Sequence, residues 1–396
     1  MSEIHFNPMA PEFLADPYPT YHRLRAEDPV HWSPLGFWVL TRYDDVVAVL
    51  RDQRFAKEPM IAAVAARFGI SPGTIGLSML DRDPPDHTRL RGLVSKAFTP
   101  RVVEQLRPHI QEIVDGLLAR VEGHGTMDLI EEFAYPIPVM VICELLGVPM
   151  EDHERFKTWS LDLARGLDSI MLPVDSEVAL RSGIARQGLT DYFRSLIAKR
   201  RAAPRNDLLS ALIAAEEAGD KLTENELLAS SILLLVAGHE TTVNLIGNGT
   251  LALLRHPDQL RRLRENPGLI GSAIEELLRY DGPVQRTARM PSAEATIGGK
   301  MIKPGEMVMP FIGAADRDPA QFPEPDRLDI TRADNRHVAF GMGIHFCLGA
   351  PLARVEGQIA INTLVQRLPK LALATERPEH RQSLTLRGLK SLSVAF

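Results

Sequence analysis

The sequence is short of cysteine: among 396 residues there are two, Cys143 and Cys347. Two thiols close one disulfide at most, which excludes a disulfide scaffold. They also cannot build a four-cysteine zinc site or iron–sulfur cluster. Unpaired cysteine in a chain of this size points to a reducing compartment. Positive charge is in deficit as well. Lys and Arg number 45 against 51 Asp and Glu, a net charge of −6, whereas broad nucleic-acid binding needs a basic footprint. Long apolar runs are missing: the densest, Ile232 to Gly238, falls far short of the roughly 20 residues that cross a bilayer. The first residues, Met-Ser-Glu-Ile-His-Phe-Asn-Pro, lack the basic-then-apolar pattern of a signal peptide. A cytoplasmic protein with no membrane anchor and no nucleic-acid partner is expected. No repeat or linker composition divides the chain.

The apolar fraction of 45% is enough for a substantial core. His31 to Thr41 reads as two short strands around Pro34-Leu35-Gly36. Ile110, Ile113, Val114, Leu117, Leu118 and Val121 keep helical spacing, with Gly123 placed as a C′ glycine. Phe133 to Leu146 is a further apolar helix. A long helix is predicted from Thr223 to Arg255. Thr223 and Glu226 fit a capping box, and Pro257 lies just past the end. Its middle, Leu233 to Gly238, is apolar nearly all round and should be buried. Ser272 to Tyr280 is a charged helix. Ala295 to Met309 carries two hairpin-like turns, Gly298-Gly299 and Pro304-Gly305. An irregular stretch, Gly313 to Met342, precedes a helix from Ala350 to Leu368, and the tail, Ser383 to Phe396, alternates like a hairpin around Arg387-Gly388.

The residues that carry chemistry start at Cys347. It sits in Phe340-Gly341-Met342-Gly343-Ile344-His345-Phe346-Cys347-Leu348-Gly349, just before a helix. Glycines let backbone amides approach and point at an anion. A thiolate at a helix N-terminus is stabilised and its pKa lowered. The plain alternative for a lone cysteine is a small buried apolar residue, which is the reading for Cys143.

This segment resembles the haem-binding signature of the cytochrome P-450 family, Phe-x-x-Gly-x-x-x-Cys-x-Gly, at every fixed position. The resemblance implies a mainly α fold with small β-sheets. That fold is a triangular prism in which haem b lies between the long central helix and the proximal cysteine helix. It makes 1–396 a single haem domain and Cys347 the metal ligand, a thiolate whose electron push favours O–O cleavage. Phe340, Gly343 and Gly349 then belong to the cofactor-binding loop. Glu276 and Arg279 resemble the family's Glu-x-x-Arg, completed by Arg327 in Pro325-Asp326-Arg327-Leu328. Met342 departs from the family's frequent polar residue, and a packing effect or a subtle change at the proximal surface is expected there.

On the long helix, Ala237-Gly238-His239-Glu240-Thr241-Thr242 resembles the family's oxygen-binding motif. Ala237 and Gly238 leave room for O2, and Glu240 with Thr241 are the acid–alcohol pair that relays protons. Thr242 is the less favoured alcohol. A metalloprotease reading of His239-Glu240 fails, because Val243 stands where the second His is needed. Haem propionates need cationic or hydrogen-bonding partners. By resemblance these are His87 and Arg91, on one helix face at i,i+4, together with Arg289 and His345. Arg286 rivals Arg289.

The implied activity is a monooxygenase that hydroxylates or epoxidises a hydrophobic small molecule such as a fatty acid, terpenoid, steroid or polyketide. A monomer is expected. Electrons come from a ferredoxin and its reductase, received on a basic patch that includes Arg101 and Arg354. The substrate pocket draws on Pro59 to Leu80, Ile170 to Leu172, Val236, Ala237, Pro283 to Thr287 and Leu389. The alternatives are a peroxide-driven or directly NADH-fed haem enzyme and a non-catalytic haem sensor.

Overall fold

The longest element is a helix of 32 residues, Glu224–Arg255, about 48 Å long at 1.5 Å per residue. Its start is the capping box the sequence predicts. Thr223 N donates to Glu226 Oε2 at 2.8 Å, and Glu226 N donates back to Thr223 Oγ1 at 3.3 Å. By length and composition this helix could cross a membrane, but 61% of its most apolar window is buried in protein, as a core helix requires. The structure is a computed structural model that describes residues 6–69, 77–169, 176–217 and 222–396.

The described chain is mostly helical, with four small sheets. It divides into two units. One comprises Met1–Ala56, Leu106–Ile137 and Thr241–Phe396 and holds all the sheets. Here Val30–Ser33 and Phe37–Leu40 pair antiparallel through the predicted turn, and Met307–Pro310 joins Phe37–Leu40 in parallel. One core of this unit gathers Leu245, Leu253, Leu260, Leu277, Leu328 and Ile361. The other packs Val46, Val49, Phe55 and Phe322, with Met342 laid against it, so Met342 has the packing role expected of it. The second unit comprises Lys57–Gln105 and Pro138–Glu240. Its helices include Asp86–Val94, His153–Ser169, Ser176–Ala202 and Leu208–Glu217.

Several predicted boundaries are corrected. The helix Arg107–Val121 buries all six predicted residues, but the left-handed glycine after it is Gly125, at φ +72°, not Gly123. Phe133 lies in a π-helical turn, Ile130–Ala134, and the α-helix starts at Pro136. Gly298-Gly299 turns a hairpin. Pro304-Gly305 does not, because the strand after it pairs with Phe37–Leu40. The tail is no hairpin either: Ser393–Ala395 pairs with Thr126–Asp128 and Ala372–Leu373. The irregular stretch opens with a short helix, Ile312–Ala315, and the final helix is Ala350–Arg367.

Candidate active site

Cys347 is exposed, while Cys143 is fully buried and its thiol is pushed up to about 12 by burial. The two cysteines thus separate as the sequence suggests. The loop before Cys347 is closed by backbone: Cys347 N donates to Phe340 O at 2.9 Å and Phe346 N to Gly343 O at 3.1 Å. Gly343 sits at φ +68°, and a Cβ there would meet Leu50 O at 2.5 Å. Only glycine fits both constraints. A Cβ on Gly349 would meet nothing within 4 Å, so the start of the following helix is open. His345 ends the short helical turn Gly343–His345.

The loop is anchored from behind. Glu276 and Arg279 are both fully buried and joined by two 2.8 Å hydrogen bonds. Arg279 also donates to the carbonyls of Asp316, Pro325 and Arg327. Glu276 accepts from Asp329 N, Arg332 Nε and Asn335 Nδ2. The third member of this cluster is therefore Arg332, not Arg327. The Arg327 guanidinium is exposed and pairs with Glu324, and only its carbonyl joins. Asp316 accepts from Val338 N at 2.7 Å, and burial pushes its carboxyl up to about 7. These bonds pin the irregular stretch up to two residues before Phe340.

Arg354 lies 4.5 Å over the Phe340 ring and makes a double bond of charge to Glu275, at 2.7 and 2.9 Å. Burial raises the Glu275 carboxyl, but His337 and Arg354 outweigh it and hold it at about 2. Arg354 is thus neutralised rather than presented as free positive charge. Arg101 is exposed.

The long helix changes character in its middle. Leu234, Leu235, His239, Glu240, Thr242 and Val243 are buried. Ala237 is exposed, and Leu233 and Thr241, four residues to either side, are partly open. Residues i, i+4 and i+8 share one face, so a single stripe through an apolar helix faces open space. Glu240 stands beside this stripe at 3% exposure. His239 Nδ1 donates to Leu235 O at 2.7 Å, a bond within the helix. Gly238 has a packing reason of its own: a Cβ there would meet Ile142 Cγ1 at 2.8 Å.

His87 and Arg91 lie on the helix Asp86–Val94. Burial lowers the His87 imidazole, and the Arg91 charge lowers it further. The imidazole is thus held in its neutral form, and at i,i+4 the two residues share one helix face. Between them Arg89 has a different task, which the sequence reading missed. It bonds Glu226 at 2.6 and 3.2 Å and Asp86 at 2.9 Å, tying this helix to the capped start of the long one. Arg286 and Arg289 are both buried, at 3% and 4%. Arg289 Nη1 donates to Thr287 Oγ1 and to Ala288 O. Of the predicted pocket residues, 70–76 and 170–172 fall outside the described residues.

Comparison with known proteins agrees with this geometry. A family model described as Cytochrome P450 matches residues 30–389. The vitamin D(3) 25-hydroxylase of Pseudonocardia autotrophica is 48% identical over 97% of this chain and 94% of its own. The cytochrome P450 monooxygenase PikC of Streptomyces venezuelae is 45% identical over 97% and 92%. A crystal structure of P450BioI in complex with acyl carrier protein ligated with hexadec-9Z-enoic acid superposes with a TM-score of 0.89. It shares 44% identity over 97% of this chain and 99% of that one. A cysteine loop held open behind a buried ion-pair cluster, on a chain so widely matched, has one reading: the chain belongs to the cytochrome P450 family of haem b monooxygenases.

Proposed function

We propose that this chain inserts one oxygen atom of O2 into a hydrophobic small molecule, a fatty acid, terpenoid, steroid or polyketide, by hydroxylation or epoxidation. The observation that carries this reading is the open stripe Leu233–Ala237–Thr241 with the buried acid Glu240 beside it. A buried carboxyl in an apolar helix is costly without a use for its proton. The substrate classes follow those named for the relatives, vitamin D3 and a fatty acyl chain.

The residues present fit the family's cofactor. Cys347 is exposed in a rigid loop whose glycines leave one side open. His87 and Arg91 share one face of the helix Asp86–Val94, where a ring N–H and a guanidinium would meet a carboxylate. Arg289 brings a third cation that is 4% exposed. Cys347 would hold the iron through its thiolate, and the helix start at Gly349 favours that negative charge. Phe340 and Gly343 shape the loop around it. His87, Arg91, Arg289 and His345 would meet the propionates. When bound, haem b supplies the activation of O2 with two electrons and two protons, giving product and water.

The protein's own contribution is placement and protons. Ala237 leaves space by being small, and Gly238 lets the neighbouring helix close in behind it. Thr241 presents its hydroxyl to the open stripe. Glu240, one residue earlier, supplies the proton that Thr241 hands on. In Thr241→Ala, electron consumption continues but product per electron pair falls about 100-fold, the low end of what a positioned proton donor contributes. Peroxide makes up the balance. The measurement is peroxide and product yield with hexadec-9-enoic acid as probe. Unchanged yields contradict the assignment.

Val236, Ala237, Pro283 to Thr287 and Leu389 are proposed to line the pocket, with the described part of Pro59 to Leu80. The whole chain is proposed to act as one cytoplasmic haem domain, a reading supported by one family model that matches residues 30–389. For electron supply we propose a ferredoxin and its reductase. The proposed docking patch includes exposed Arg101 and also Arg354, whose charge is paired with Glu275. Turnover with reduced ferredoxin supports this. Turnover with NADH alone, or only with peroxide, favours the rival reading.

A further inference from the structure

A buried polar cluster with no part in the chemistry described so far lies against the segment Pro283 to Thr287. Val284 forms an antiparallel bridge with Leu386 in the tail. It is closed on either side by Gln285 N donating to Thr385 O at 2.9 Å and Arg387 N donating to Pro283 O at 2.8 Å. Opposite residues of such a pair share one face, and the next residue of each strand points the other way. Val284 and Leu386 are half-buried, whereas Gln285 and Arg387 are buried. This short ribbon therefore has an apolar face that is partly open and a polar back inside the protein.

The back is where the charges sit. Asp281 Oδ1 accepts from the Tyr18 hydroxyl at 2.7 Å and from Arg387 Nε at 2.6 Å. The Arg387 and Asp281 side chains are 9% and 14% exposed. Burial raises the Asp281 carboxyl, but Arg387 and the Tyr18 hydroxyl outweigh it and hold it below its usual value. Arg387 also donates to Leu14 O. Tyr21 donates to Gln285 Oε1 at 3.1 Å. From the long helix, Asn248 Nδ2 donates to the carbonyls of both Asp281 and Arg387, at 3.2 and 3.1 Å. Asp281 ends the helix Ile270–Asp281, and Tyr18 begins the helix Tyr18–Glu27. One carboxylate thus joins these two helices to the tail. A ladder of so few bonds is marginal by itself, so its spacing is set by what lies behind it.

We propose that Asp281 is a positioning residue for substrate recognition: its carboxylate clamps Arg387 and Tyr18 and so fixes the spacing of Val284 and Leu386 in the pocket wall. The inference rests on the reading of Pro283 to Thr287 as pocket lining. It places Leu386 in the wall beside Val284, and it gives the first helices of the chain a part in selectivity without any contact with substrate.

The test uses the holoenzyme as wild type, Asp281→Ala, Asp281→Asn, Tyr18→Phe and Val284→Phe, with imidazole and econazole as probes. Both bind iron through an imidazole nitrogen, but only econazole is large enough to press on the wall. Dissociation constants are read from the haem absorption shift, and the quantity compared is the econazole-to-imidazole ratio. Loss of stability alone leaves that ratio unmoved, because only folded haem protein gives the signal. In Asp281→Ala the ratio is expected to rise about tenfold, the worth of one lost hydrogen bond. Asp281→Asn restores it, since a carboxamide oxygen accepts the same two bonds. Tyr18→Phe, which keeps its ring over Arg317, gives a smaller rise. Val284→Phe, a change in the wall itself, shifts the ratio directly. A wild-type ratio in Asp281→Ala overturns the inference, as does a wild-type ratio in Tyr18→Phe should Asp281→Ala fail to fold. So does a shift in Asp281→Asn as large as in Asp281→Ala. If Val284→Phe also leaves the ratio unchanged, it is the pocket reading that has failed, and the inference falls with it.

Discussion

Cys347→His is expected to give a folded protein that still takes up haem but has lost oxygen insertion. Imidazole is a competent iron ligand, but it is neutral and lacks the electron push of a thiolate. The loop tolerates the change structurally. Its conformation is set by the Gly343 turn and the Cys347 N to Phe340 O bond, and neither depends on the sulfur. Product formation falls at least about a thousandfold, corresponding to about 4 kcal/mol of barrier. Rates of product formation with ferredoxin as donor, normalised to haem content, make the check. A variant within tenfold of wild type contradicts the thiolate role.

The second large effect is on stability. Arg279→Ala removes both bonds to Glu276 and the donors to three carbonyls, those of Asp316, Pro325 and Arg327. It leaves Glu276 buried beside a cavity, with Arg332, Asn335 and the Asp329 amide as its remaining partners. Breaking a fully buried pair costs about 3–5 kcal/mol, and the lost carbonyl donors add about 1–3 kcal/mol for each one left unsatisfied. Against a usual total of about 5–15 kcal/mol, little native protein remains. Arg279→Lys rescues poorly, because an ammonium cannot reproduce the planar fork that meets Glu276 and the carbonyls together. Soluble yield and urea midpoints measure this. A midpoint equal to wild type in Arg279→Ala contradicts the view that this cluster anchors the cysteine loop.

The parts of this architecture that were legible in the sequence are those written locally. The capping box needs only Thr223 and Glu226, and both bonds are present. The cysteine loop needs glycines at fixed steps, and Gly343 proves intolerant of any side chain. The helix Arg107–Val121 follows from its apolar period. The errors arose where distant residues decide. Pro304-Gly305 looks like a hairpin turn until Phe37–Leu40 captures the next strand, Trp38 pairing with Val308 from 270 positions away, a separation no local signal records. Arg332 rather than Arg327 reaches Glu276, because the backbone between them turns a side chain outward. Arg89 and Asp281 left no motif at all, since ion pairs across 137 and 106 positions are visible only once the chain packs.

The cysteine loop is stiff, backed by Glu276, Arg279 and Arg332 and covered by the Arg354–Phe340 stack. On the proposed reading, that rigidity would keep a thiolate in place through repeated turnover. The stripe of the long helix is open, with small and half-exposed residues adjoining a buried acid. Selectivity for a hydrophobic substrate and delivery of protons are proposed to belong to that face.

The central claim is thiolate ligation by Cys347, and the absorption spectrum of the dithionite-reduced protein under carbon monoxide tests it most directly. A strongly red-shifted Soret band in wild type that is absent in Cys347→His is the predicted result. An unshifted band in intact wild-type protein, or a red-shifted band that survives in Cys347→His, would contradict it.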